Sequence, residues 1–148
     1  MQLKFILPII FMLLFFVSCS KNEEVKTEVL TYQVTNALVA SIWTITSFSK
    51  NGNGDTNAFY NMSLSFSTFV GGRNYFYSNG SSKNINGFWQ VFARNDIAIL
   101  SLSLYSPPGI TAENLTREWT IEKYENNKIF LSYIGEDKIN YQMILSKK

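Results

Sequence analysis

Met62-Ser63-Leu64-Ser65-Phe66-Ser67 alternates apolar and polar side chains at every step. A period of two puts Met62, Leu64 and Phe66 on one face of an extended strand and the serines on the other, one face dry and one wet. The same alternation returns where Trp119 and Ile121 oppose Thr120 and Glu122, at Ile129, Leu131 and Tyr133, and at Tyr141, Met143 and Leu145. Turn formers separate the runs: Asn51-Gly52-Asn53-Gly54, Gly71-Gly72, Asn79-Gly80, Asn126-Asn127 and Gly135-Glu136-Asp137. The spacing predicts strands near 42–50, 60–69, 72–78, 84–93, 96–104, 116–125, 127–134 and 138–146. About eight short strands with tight turns predict an all-β fold, a small antiparallel up-and-down meander, closed or nearly closed. Closure would hide the edge strands that a flat sheet leaves open to aggregation. Ser106-Pro107-Pro108-Gly109 cannot continue a strand, because proline lacks the N–H a ladder needs. It is expected to begin the one long connection, which runs through Asn114.

The N-terminus has a different character. Lys4 is followed by an apolar run over 5–17, then by Ser18 and the chain's single cysteine, Cys19. A short basic start, an apolar core and a small residue at the cut describe a secretory signal. The run is shorter than the roughly 20 residues of a membrane span. Phe16-Val17-Ser18-Cys19 resembles the lipobox of bacterial lipoproteins, with Phe16 where that pattern has leucine. The resemblance implies cleavage after Ser18, a diacylglyceryl group on the Cys19 sulfur and acylation of the freed amine. Two or more acyl chains anchor a protein stably where one does not. Ser20-Lys21-Asn22-Glu23-Glu24 reads as a solvated tether. It also resembles an export tag that sends lipoproteins to the surface of one group of Gram-negative bacteria. From Val25 and Val29 through Leu30, Val34, Leu38 and Ile42, apolar residues recur at near-helical spacing, which leaves room for a short helix. The expected division is a leader over 1–18, a lipidated polar tether over 19–37 and a β domain over 38–148.

Composition excludes several function classes. The formal net charge of the 148 residues is only +2, which gives no basic footprint for nucleic acid. There is no histidine, which removes Ser-His-Asp and Cys-His catalysis and imidazole metal sites. With Cys19 lipidated, no thiol is left for a disulfide, a nucleophile or a thiolate metal site. Neither a phosphate loop nor a dinucleotide fingerprint is present. Glu118 and Glu122 share the strand face opposite Trp119 and Ile121, so they read as solvated charges rather than a hydrolytic pair. Asn51, Asn53, Asp55 and Asn57 offer oxygens at every second position, yet Thr56 and Met62 stand where a calcium loop needs glycine and glutamate. The chain is expected to be non-enzymatic, with no cofactor and no metal.

Three tryptophans punctuate the domain at Ser41-Ile42-Trp43, Gly87-Phe88-Trp89 and Glu118-Trp119-Thr120-Ile121. Gly54-Asp55-Thr56 leads through Phe59 to the Met62 strand, an aliphatic strand runs over 97–104, and Lys128-Ile129-Phe130-Leu131 follows late. Over about residues 38–146 this order is similar to the lipocalin-like lipoproteins of Gram-negative bacteria, a calycin-type β-barrel family. Ser41 takes the place of that family's first-strand glycine. The resemblance implies a lipid-anchored protein of the outer membrane. It also implies a barrel that binds a small hydrophobic ligand or a glycan, with Trp43, Phe66, Trp89 and Trp119 lining the site.

The residues themselves leave two readings of these aromatics. An eight-stranded barrel either holds one small molecule or is filled by its own side chains. In the first case the domain is a binding module. In the second it is a scaffold whose outer surface docks on a larger envelope complex, and Tyr60, Tyr75, Phe76, Tyr77 and Phe88 would suit either role.

Overall fold

The computed structural model describes residues 18–59, 62–68, 74–79, 85–105 and 114–148. Its alternating runs are strands of one antiparallel sheet. In chain order they are β1 (Ile42–Lys50), the two-residue β2 (Asn53–Gly54), β3 (Ser63–Thr68), β4 (Asn74–Asn79), β5 (Ile85–Arg94), β6 (Ile97–Tyr105), β7 (Arg117–Glu125), β8 (Lys128–Ile134) and β9 (Asn140–Lys147). From β3 onward each strand pairs with the next in sequence, so the all-β meander stands as expected. β1 meets β3 over Ile42–Thr44 and takes β9 as its other neighbour, from Trp43↔Lys147 to Lys50↔Tyr141. Residues 1–17, read from sequence as most of a leader, and Gly71-Gly72, Gly80, Tyr60 and Ser106-Pro107-Pro108-Gly109 lie outside the described residues.

Short polar turns set the register. Asn51-Gly52, Asn95-Asp96 and Asn126-Asn127 all have positive φ, at 49° and 79°, 51° and 59°, 50° and 60°. That is the left-handed pair a tight hairpin turn requires, and Asn, Asp and Gly adopt it at least cost. Register shifts between Ile45 and Ser47, and between Ile121 and Lys123, each insert one extra residue. An extra residue reverses strand parity. Ile45 and Phe48 are therefore both buried although three apart, and Tyr124 pairs with the fully buried Ile129.

Residues 19–37, read from sequence as a tether with room for a short helix, are helical throughout. Helix α1 runs Ser18–Val39, 22 residues or about 33 Å. Val34 and Leu38, one turn apart on one face, are fully buried in the sheet's core. That burial outweighs the weak helix propensity of the β-branched residues. Thr31 and Thr35 return their hydroxyls to the carbonyls of Thr27 and Thr31 (2.7 and 2.8 Å), so neither competes for a non-helical turn. The folded unit thus begins inside the segment expected to be tether.

α1 lies across one end of the meander. It touches β1, β3, β5, β6 and β7, and the Thr27 hydroxyl donates to the Asp96 carbonyl in the β5–β6 turn at 2.8 Å. At the opposite end a 3-10 turn, Thr56–Phe59, tucks Phe59 against Phe48 with ring centroids 4.8 Å apart.

Candidate functional site

Trp43, Phe66, Trp89 and Trp119 all face the sheet's interior, with 0, 4, 3 and 0% of their surfaces exposed. Only Phe66 and Trp89 meet as rings, edge to face at 5.5 Å. Trp43 sits at the α1 end beside Tyr124 (6.5 Å), whereas Trp119 packs toward the other end against Phe48 and Tyr133, both at 6.3 Å. The four do not converge on one pocket. Each indole N–H is committed to a backbone carbonyl: Trp43 to Leu38 at 3.3 Å, Trp89 to Ser67 at 3.2 Å and Trp119 to Leu115 at 3.0 Å. A buried indole with its donor satisfied by the main chain is a packed side chain.

A concave surface exists elsewhere. At the end opposite α1 a cleft of about 420 Å³ is lined by Thr116, Arg117, Tyr133, Glu136, Asp137 and Tyr141. Arg117 has the parity of Trp119, so at the start of β7 its stem turns inward over the end of the core. Its guanidinium carbon lies 4.1 Å from the Tyr141 ring centroid, 4.9 Å from that of Tyr133 and 5.5 Å from that of Trp119. A guanidinium stacked on ring faces is held by the ring quadrupoles and by contact area. Lys50 lies 5.7 Å from the Tyr141 ring centroid. The loop carrying Glu136 and Asp137 is fixed by its own hydrogen bonds, Gly135 N–H to Ile139 O at 2.9 Å and Ile139 N–H to Asp137 Oδ1 at 3.1 Å. The result is a semi-rigid recess that offers a cation, two phenols, a threonine and two carboxylates. Sequence reading missed Arg117, and its signal was modest: a cation two residues before a buried tryptophan on the same strand face.

A second groove, of about 730 Å³, runs beside α1, between Tyr32, Gln33 and Asn36 on the helix and Tyr124, Asn126 and Asn127 at the β7–β8 turn.

The charged residues weighed from sequence are otherwise engaged. Glu118 forms a two-point pair with Arg94 (2.7 and 3.0 Å) on the outer face, and hydrogen bonds from Arg94 hold its carboxyl below the usual range. Glu122 accepts from Ser132. The Asn140 N–H donates to the Asn51 side-chain oxygen at 2.8 Å, a structural use in the loop considered for calcium. Among the described residues no three acidic or thiol side chains converge as metal ligands.

Comparison with known proteins finds no family model, no curated protein and no solved structure that matches this chain.

Proposed function

We propose that this chain is a lipid-anchored envelope lipoprotein, held at Cys19 in the outer membrane of a Gram-negative bacterium. Its lipocalin-like domain binds a small hydroxylated ligand of the glycan class. The β1–β9 register supports reading the meander as a closed barrel, because it joins the last strand to the first. The observation that carries the ligand reading is the Arg117 cleft. It combines ring faces, a fixed guanidinium and carboxylates in one recess, which are the side chains that accept and donate to sugar hydroxyls while covering their apolar faces. The interior is occupied by tryptophans that have spent their donors, which favours a ligand at the rim over one in the middle.

The test is a titration of the soluble domain with a panel of oligosaccharides, read by NMR. Shifts confined to Arg117, Tyr133 and Tyr141, and weakened in Glu136→Gln, are the expected outcome. No shift with any member of the panel would sink the ligand reading. Anchoring is tested separately by Cys19→Ser, which should abolish uptake of labelled palmitate. Undiminished labelling would reject the lipobox.

A docking role is the second reading, favoured by one feature of the outer sheet surface. Phe88 and Tyr105 stack edge to face at 5.4 Å, and Tyr105 remains exposed. Aromatic pairs in such positions serve as interface anchors. A stoichiometric protein partner in native mass spectrometry of material from the host envelope would support it.

A further inference from the structure

α1 buries only one of its faces. Leu30, Val34 and Leu38 turn toward the sheet, while Val25, Val29, Tyr32 and Val39 line the opposite side at spacings of four, three and seven. Those spacings form one stripe along a helix. Val25 is 59% exposed, Val29 49% and Tyr32 71%. Ile42 and Ile97 are also exposed and belong to the same end of the molecule. Ile42 begins β1 just after α1 ends. Ile97 follows Asp96, to which Thr27 of α1 is bonded. Among the residues whose side chains are described, eight large apolar ones are exposed, and of these Tyr105 and Ile134 lie at the other end. An apolar surface this lopsided marks something that covers it.

The chain outside the described structure indicates what. Residues 1–17 carry the apolar run over 5–17 and end where α1 begins. Whether that run is retained or is replaced by acyl chains on Cys19, the lipid-seeking part of the molecule joins at the first turn of α1. Val25 follows Cys19 by six residues, roughly 9 Å of helix. A bilayer that holds Cys19 is therefore within reach of Val25 and Val29. Helical structure between them leaves no slack for the domain to float clear. We infer that α1 lies in the plane of the bilayer, with Val25, Val29 and Tyr32 seated at the headgroup–acyl boundary and the β domain standing end-on above it.

This docking rests on the anchored reading proposed above and adds to it a fixed orientation. Glu23, Lys26 and Glu28 on the same helix carry both signs, so the contact is apolar and does not depend on anionic lipid. The Arg117 cleft, at the opposite end, then faces away from the membrane.

The experiment uses the processed full-length chain in phosphatidylcholine vesicles. A spin label is placed at Val29→Cys or at Ile134→Cys, both exposed positions, with folding checked by circular dichroism and palmitate incorporation measured on the same samples. The Val29 label should lose collisions with an aqueous nickel chelate and gain collisions with oxygen, unchanged by added salt, while the Ile134 label stays open to nickel. Equal nickel access at both labels on a palmitate-bearing chain would overturn the docking and leave the anchor standing. Spin–spin broadening between Val29 labels would assign the face to a second copy and also overturn it. Absence of palmitate and of vesicle binding would overturn the anchor together with the docking.

Discussion

Gly87 is the residue at which the meander has least room. An added Cβ would fall on the Ser103 carbonyl oxygen and lie 2.7 Å from the Leu104 Cα, both backbone atoms of the paired strand. Backbone cannot swing aside as a side-chain tip can, so Gly87→Ala must push β5 and β6 apart where Gly87 pairs with Leu104. A loss of about 1–3 kcal/mol is expected, as for other overpacked sites. It should appear as a lower denaturant midpoint with an unchanged slope. The Gly-x-Trp spacing then has a plain physical basis: close strand approach at Gly87, and Trp89 on the same inner face two residues on. Glu118 gives a residue-scale prediction of another kind. Its hydrogen bonds from Arg94 lower its pKa in the folded state. The associated stabilisation is present above the usual carboxylate range and is lost as pH falls through the lowered folded value. Arg94→Gln should return the Glu118 titration to the usual range by carboxyl NMR. Both side chains are about half exposed, so the unfolding midpoint at neutral pH should hardly move.

At the scale of elements, α1 matters more than its sequence suggests. Leu38 is fully buried, its carbonyl accepts the Trp43 indole N–H, and it ties the helix to β1. Leu38→Ala should cost about 2–5 kcal/mol, the range for a cavity left in a core, measurable by urea unfolding. An equal effect from the exposed Val25→Ala would contradict this assignment of faces. The strands were legible because one wet face exposes their period: serines between Met62, Leu64 and Phe66, and polar residues around Trp119 and Ile121. α1 was only partly legible, since Val25, Val29 and Tyr32 on its outer side blur the periodicity that Leu30, Val34 and Leu38 make on the inner. The two bulges were not legible. A one-residue offset near Ser47 or Glu122 carries no compositional mark, yet it decides that Phe48 and Tyr124 point inward. The tryptophans could be placed on the inner face from parity alone. What separates filling from lining is the acceptor of each indole N–H, and those acceptors are main-chain carbonyls with no sequence signature.

For the whole molecule the question is whether helix and sheet are one cooperative unit or a domain with an appendage. Val34 and Leu38 belong to the same buried cluster as Trp43, Trp89, Trp119 and the inner residues of β8 and β9. Detaching α1 would therefore uncover the α1 end of that cluster along with the helix's own face. Partial unfolding of that kind carries a large apolar penalty. A single two-state transition is expected for a domain of this size when one core spans its elements. The three tryptophans report on the sheet interior, being at most 3% exposed, whereas helical ellipticity comes chiefly from α1. Tryptophan emission and helical circular dichroism should accordingly lose their native signals at the same urea concentration. The coincidence should persist in Leu38→Ala, shifted as a whole to lower urea. A helical signal that melts first, with tryptophan emission still native, would show α1 to be a separable arm. The rigid end-on stance inferred for the anchored molecule would then lose its footing, because only a helix that shares the core can transmit the position of Cys19 to the Arg117 cleft.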